Sequence, residues 1–355
     1  MSSVLFTGYA PVHYACFRPL HAELERIEGV DVRVAGGTRR RGDDGEYVYD
    51  ADAMYGPFGI DAASVLTVDE LAELDVDALF CANTNAIAPR SAGRTIEIFH
   101  GLSFRNLCVR EENAGKDAYF LLGPYMRRAF ARSGLLDAGD PRGVAVGFPK
   151  TDPLLDGRLD RDAILAAEGL SGERPVVLYA PTGAKRNSLE TMGEEVLRRL
   201  RDWGAVDVLV KLHDHPKKAI DWPARLAPLE GEHLSLARTP DVVECLFAAD
   251  MLISDASSVV NEYALLDRPI VFLDVPELLA AARDREGSAL DLDTWGRRGG
   301  EVVAEPAEVV GAVARGLEHP ERRSEVRRAI AADLFYNPGH ATDAAMGWVG
   351  EELLA

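Results

Sequence analysis

Met251-Leu-Ile-Ser-Asp-Ala-Ser-Ser-Val-Val-Asn-Glu-Tyr-Ala-Leu-Leu266 reads as a short buried strand, a polar turn and an amphipathic helix. Met251–Ser254 is apolar up to its last residue, Asp255-Ala-Ser257-Ser258 carries turn chemistry, and the apolar positions beyond it fit one helix face. Strand, turn and helix in that order are the building unit of a parallel α/β sheet. Serines at such a turn place hydroxyls and unpaired backbone N–H groups at the positive end of a helix, an arrangement that suits a phosphate or pyrophosphate. Glu262 falls one helical turn after Ser258, where a carboxylate would take a ribose diol. Ser258 followed by Glu262 is also one residue longer than a capping box, so the turn alone leaves phosphate site and helix cap equally open.

The same alternation runs through the chain. Short β-branched or apolar runs at Val4–Thr7, Val30–Ala35, Ala78–Cys81, Thr95–Phe99 and Ala118–Leu122 are followed by a second series at Val176–Tyr179, Val206–Lys211, Met251–Ser254, Pro269–Leu273 and Glu301–Ala304. Between Gly147 and Pro175 the pattern carries no strand, which predicts a linker there. With 355 residues, and domains of about 100 to 200 residues, two domains are expected. The expected class is α/β, two Rossmann-like halves facing across a cleft: residues 1–150, residues 151–335, and a terminal helix at 336–355 that packs back across both. Ligands of open α/β sheets bind at the carboxyl ends of the strands.

Charge narrows the partners. The chain holds 58 acidic and 39 basic side chains, net −19, which opposes association with a phosphate backbone or an anionic bilayer. Nucleic acid is therefore not an expected partner, and membrane contact is peripheral at most. Residues 1–150 are net −5 and the remainder net −14, yet residues 90–133 carry eight basic against four acidic side chains. That stretch fits either an anionic ligand or an ordinary solvated helix face. The amino terminus shows no targeting signal and no apolar run reaches 18 residues, so a cytoplasmic location is expected. Cys16, Cys81, Cys108 and Cys245 lie apart in apolar contexts, which predicts buried thiols rather than a disulfide or zinc framework. No carboxylate cluster has metal-ligand spacing, and no cofactor is expected.

Three further strand ends carry chemistry. Thr95-Ile-Glu-Ile-Phe-His100-Gly101 places an imidazole and a glycine just past a strand, Tyr179-Ala-Pro-Thr182-Gly-Ala-Lys-Arg186 ends in a hydroxyl and a basic loop, and Lys211-Leu-His213-Asp-His215 ends in a lysine and two histidines. A lone strand-end histidine is more often structural, but histidine is also the side chain best able to exchange a proton near neutral pH.

Taken in chain order, these segments resemble the CDP-glycerol glycerophosphotransferases of teichoic-acid-type polymer synthesis. His100-Gly101…Arg105 is similar to that family's His-Gly-Thr-Pro-Leu-Lys, Gly147-Phe-Pro-Lys-Thr-Asp152 to its Gly-x-Pro-Arg-x-Asp, and Tyr179-Ala-Pro-Thr182 to its Tyr-Ala-Pro-Thr. Lys211-Leu-His213 resembles Lys-Leu-His-Pro, Ser254-Asp-Ala-Ser-Ser258 resembles Ser-Asp-Tyr-Ser-Ser, and Arg268-Pro-Ile matches directly. Leu102 and Ser103 depart from the family's Thr-Pro, Arg105 from its lysine, and Asn337-Pro-Gly339-His340-Ala-Thr only partly echoes its Asp-Gly-x-Ala-Ser.

The resemblance implies a GT-B fold, with the amino-terminal half on the acceptor side and residues 151–335 binding the nucleotide donor. It implies transfer of glycerophosphate or a related polyol phosphate from a CDP-alcohol to an acceptor hydroxyl of a polyol-phosphate or glycan, free or lipid-linked, with release of CMP. In that reading His100 is the base and His213 the second catalytic histidine, beside Lys211 at the donor phosphates. Thr182, Arg186, Asp255, Ser257, Ser258 and Glu262 complete the donor side; Gly101, Ser103 and Arg105 belong to the acceptor side. The alternatives are a GT-B nucleotide-sugar glycosyltransferase or UDP-sugar 2-epimerase, and a catalytically silent nucleotide-binding protein.

Overall fold

The computed structural model describes residues 2–42, 44–82, 87–101, 114–213, 220–283 and 295–355. Ser103 and Arg105, expected on the acceptor side, lie outside the described residues, as do His215 and Cys108. The described chain separates into two compact units: the first ends at Asp152 and takes back Asp333–Ala355, and the second is Pro153–Ala332.

In the first unit the strands are β1 (Ser2–Gly8), β2 (Val30–Gly36), β3 (Thr38–Arg41), β4 (Tyr47–Asp50), β5 (Asp75–Cys81), β6 (Ser91–Glu97), β7 (Ala118–Leu121) and β8 (Gly143–Ala145). Six of them form one parallel sheet in the order β2-β1-β5-β6-β7-β8, and β3 and β4 make a separate antiparallel ribbon. Pairing of Thr7 with Cys81 and of Cys81 with Glu97 brings the carboxyl ends of β1, β5 and β6 level with one another.

The second unit contributes β9 (Val176–Tyr179), β10 (Asp207–Val210), β11 (Leu234–Leu236), β12 (Met251–Ser254), β13 (Ile270–Leu273) and β14 (Glu301–Val303), parallel in the order β11-β10-β9-β12-β13-β14. Every residue of β9, β10, β12 and β13 is buried. That is why these strands read as continuous apolar runs rather than alternating ones: helices cover both faces of a parallel sheet. Tyr179 pairs with Val210 on one side and Ile253 on the other, so the loops after β9, β10 and β12 leave the sheet at the same edge.

All ten strands expected from the sequence are present. The short edge strands β8 and β11, three residues each, and the ribbon β3–β4 were not anticipated, because such short pieces carry too few apolar positions to show a period. The helix after Ser258 is shorter than its sequence suggests: Val259–Tyr263 passes into a 3₁₀ turn, Ala264–Leu266, and stops at Asp267 with φ 51°. Its dipole is correspondingly small.

Two of the sequence motifs turn out to meet each other. The Asp152 carboxylate accepts the backbone N–H groups of Ala341 (3.0 Å) and Thr342 (2.7 Å) and the Thr342 hydroxyl, so it caps the terminal helix Ala341–Glu352. Asn337 donates to the carbonyls of Ala145 and Val146, and Gly147, at φ 99°, leaves room for the Tyr336 carbonyl that a Cβ would meet at 2.1 Å. Trp348 packs edge-on against Phe120 of β7 at 5.2 Å, which seats the terminal helix within the first unit. Cys16, Cys81 and Cys245 are buried free thiols. No helix among the described residues is long and apolar enough to cross a membrane.

Candidate functional site

In the second unit the chain runs from β9 outward through β10 and β11, then returns to β12 on the other side of β9. The switch point therefore lies between β9 and β12, the place where open α/β sheets bind ligands. A fully buried carboxylate braces it. Asp255, just after β12, accepts the N–H of Thr182 (2.9 Å), the N–H and hydroxyl of Ser188 (2.9 Å each) and the N–H of Ala256 (2.7 Å). Burial pushes its carboxyl above the usual range, and these donors pull against that shift. Ser254 donates to the Ala180 carbonyl at 2.5 Å, and the hydroxyls of Tyr179 and Ser188 lie 2.9 Å apart. Asp255, expected among the donor-binding residues, is thus fully buried and braces two loops against each other.

The remaining expected residues divide by exposure. Thr182 and Glu262 are each 2% exposed and Ser257 6%, whereas Ser258 and Lys211 are partly exposed and His213 and Arg186 exposed. Ser258 occupies the N-cap position of its short helix without making a side-chain cap, which removes the capping alternative for its hydroxyl. Arg186 sits at φ 61°, with its guanidinium 3.4 Å from Glu277.

Gly183 explains how the β9 and β10 loops close on each other: a Cβ there would meet the His213 ring at 2.7 Å, so only glycine lets the imidazole lie against this backbone. Beside that contact is a cavity of about 350 Å³ that Thr182, Lys211 and His213 share with Asn187, Trp222 and Leu236. The volume is in the range of small-molecule sites, and one wall is apolar while the other carries the cation and the imidazole. Asn187 is committed to the loop, donating to the Thr182 carbonyl (2.6 Å) and accepting from the Glu190 N–H (2.9 Å). Arg186, Asp255, Ser257, Ser258 and Glu262 are not part of this cavity's described wall.

In the first unit, β6 ends at Glu97, and the chain turns through Phe99, held at φ 57°, to deliver His100. A positive φ at an aromatic residue is strained and persists only where its surroundings fix it. Here the Glu97 carboxylate accepts the Phe99 N–H at 3.0 Å. Glu97 is fully buried, and burial pushes its carboxyl up to about 7 against the pull of that N–H and of Lys116. His100 Nδ1 lies 2.6 Å from the carbonyl oxygen of Ala82, just beyond β5. A carbonyl only accepts, so neutral His100 carries its proton on Nδ1 and its basic lone pair on Nε2. Gly101 follows at φ 142°.

Other groups gather at this sheet end that the sequence reading passed over. His13, in the first turn of the helix Pro11–Leu24, lies with its ring 5.1 Å from that of His100. Tyr9 stands edge-on to His13 at 4.5 Å, and the Arg39 guanidinium stacks over Tyr9 at 4.2 Å and Tyr47 at 4.6 Å. Glu97 was detectable, as a carboxylate within the apolar run Ile96-Glu-Ile-Phe99. His13, Arg39 and, in the second unit, Trp222 gave no local signal, because only the sheet order brings them to a strand end.

The sequence model of the CDP-glycerol:poly(glycerophosphate) glycerophosphotransferase family matches residues 96–343. A teichoic acid glycerol-phosphate primase of Bacillus spizizenii is 27% identical over 220 residues, 58% of this chain and 51% of the relative, so the match spans about half that protein's length. Among solved structures, a variant of the wall teichoic acid polymerase TagF soaked with CDPG aligns with 99% of this chain and 89% of its own, at 16% identity and TM-score 0.67. UDP-GlcNAc 2-epimerase from Neisseria meningitidis, bound to UDP-GlcNAc, aligns with 99% of this chain and all of its own, at 13% identity and TM-score 0.63. At such identities the structures speak for the fold, which is α/β of the GT-B class with two Rossmann-like sheets. The family match takes in six of the motifs, from His100 to Arg268, and with it the chain belongs to the CDP-glycerol:poly(glycerophosphate) glycerophosphotransferase family.

Proposed function

We propose that this protein transfers a polyol phosphate, with glycerol phosphate as the first choice, from a CDP-alcohol to an acceptor hydroxyl. The acceptor oxygen attacks the β-phosphorus, the bond from that phosphorus to the oxygen it shares with CMP breaks, and CMP leaves with that oxygen. The proton of the acceptor hydroxyl passes to Nε2 of His100. The observation that carries this reading is the 2.6 Å contact between His100 Nδ1 and the Ala82 carbonyl, which leaves Nε2 as the basic nitrogen. General bases of this kind typically contribute about 10²- to 10⁴-fold.

On the donor side, Lys211, His213 and the Ser258 hydroxyl are the accessible groups suited to the phosphates, and the apolar wall at Trp222 suits the nucleoside. Thr182, Asp255, Ser257 and Glu262 then act from beneath, by shaping the loops. Phosphoryl transfer needs positioning and charge stabilisation more than covalent chemistry, so fixed cations can serve without a metal ion. EDTA is accordingly expected to leave turnover unchanged, and loss of turnover that added divalent metal restores would contradict this part. The reading expects the reaction in the cytoplasm and takes a polyol-phosphate or glycan as acceptor.

Calorimetry with CDP-glycerol, CDP-ribitol, CMP and UDP-GlcNAc tests the donor. Binding of the cytidine ligands without UDP-GlcNAc is expected. The reverse pattern would replace this reading with that of a nucleotide-sugar enzyme, the chemistry of the epimerase that shares the fold.

A further inference from the structure

We propose that His13 is a positioning residue that holds the His100 imidazole in its working orientation, an inference that rests on the reading of His100 as the base. His13 is 3% exposed and built into the end of β1. A Cβ on Gly8 would come within 2.9 Å of the His13 Cβ, so glycine at this position is what lets the Pro11–Leu24 helix bring its first turn down onto the strand. The Tyr9 N–H donates to His13 Nδ1 at 3.3 Å, which leaves the proton of the neutral ring on Nε2.

His100 is then gripped in two ways. Its Nδ1–H is tied to the Ala82 carbonyl, and its ring rests 5.1 Å from the His13 ring at an interplanar angle of 44°. The torsion that swings an imidazole about its Cβ–Cγ bond has a broad, shallow profile. The hydrogen bond to Ala82 selects the Nδ1–H tautomer only while the ring keeps that orientation, and a buried ring packed against the imidazole restricts the swing that would break it. The opposite tautomers of the two rings follow from the same frame: Ala82 offers an acceptor to one and Tyr9 a donor to the other. Tyr9 is itself clamped between His13 and the stacked Arg39 guanidinium.

The test is ¹⁵N NMR of the histidine side chains in the wild type, His13→Ala and His13→Asn. Asparagine can still accept the Tyr9 N–H but offers no ring, so it serves where alanine disturbs folding. His100 is expected as the Nδ1–H form in the wild type and as a mixture of both tautomers in each folded variant. A single Nδ1–H tautomer for His100 in both variants overturns the proposal. Turnover adds a second arm: His13→Ala should lower kcat by about 10- to 100-fold with KM nearly unchanged, the scale of a misplaced catalytic group. In a His100→Ala background the same change should cost nothing further, whereas an equal loss in both backgrounds overturns the role through His100. If the tautomer shifts as expected while His100→Ala leaves turnover intact, the positioning role stands and the assignment of the base falls.

Discussion

Each unit steers its candidate site with a carboxylate buried at a strand end, and the two differ in how many donors meet it. Asp255 receives three backbone N–H groups and a hydroxyl, and so ties the β9 loop to the β12 turn. Glu97 meets the Phe99 N–H and the Cys81 thiol, the latter at 3.5 Å, and burial leaves its carboxyl near 7. A buried carboxylate surrounded by donors makes a permanent brace, while one with few donors stays close to protonation. Burial raises both carboxyls, and the four donors on Asp255 make the donor-side loops the more tightly tied of the two.

The largest effect should come from cutting the stronger brace. Asp255→Ala strands four buried donors, and leaving a buried donor unmade costs about 1–3 kcal/mol, so a loss of about 3 kcal/mol or more is expected in denaturant unfolding. Asp255→Asn, which keeps one acceptor oxygen, should lose less. Equal stability of wild type and Asp255→Ala would mean that the loops are held by other contacts.

Glu97 sharpens the contrast through pH. Its folded pKa, about 7, lies above the unfolded value of 4.5, so the folded state retains a proton that the unfolded state releases. Stability contributed by the protonated form is complete below pH 4.5, falls as the pH rises from there to about 7, and is level above that. The drop is of order 3 kcal/mol. Glu97→Gln should flatten this part of the stability profile between pH 4.5 and about 7 while keeping the Phe99 contact, and a variant with the same slope as the wild type would show that other groups carry it.

Ser258→Ala addresses the donor side, where the hydroxyl makes no cap. Donor affinity should weaken by about 1.5–3 kcal/mol if the hydroxyl bonds a charged phosphate, with little change in melting. Unchanged affinity would remove Ser258 from the site.

The contrast also shows what a sequence can reveal. Strands β9, β10, β12 and β13 were legible because burial on both faces imposes an apolar run, and Lys211, His213 and Ser258 because each stands just past the end of one. The division of labour around them was not legible. Asp255 and Ser258 sit three residues apart in one motif, yet one is a fully buried brace and the other is partly exposed, because the direction each side chain takes depends on the turn and on the loop from β9 that closes over it. Likewise, the motifs ending at Asp152 and beginning at Asn337 read as separate signatures, and only the fold shows them locked together. His13 lies 87 residues before His100 and reaches it only because β1, β5 and β6 are neighbours.

The central claim, that His100 takes the acceptor proton, is tested most directly by the rate of CMP release from CDP-glycerol in the presence of acceptor, measured for wild type and His100→Ala alongside donor affinity. The account predicts a fall in kcat of at least ~10² with donor affinity close to wild type, since the imidazole acts in the transition state and not on the bound donor. A His100→Ala protein with wild-type circular dichroism and melting that releases CMP at the wild-type rate would contradict it.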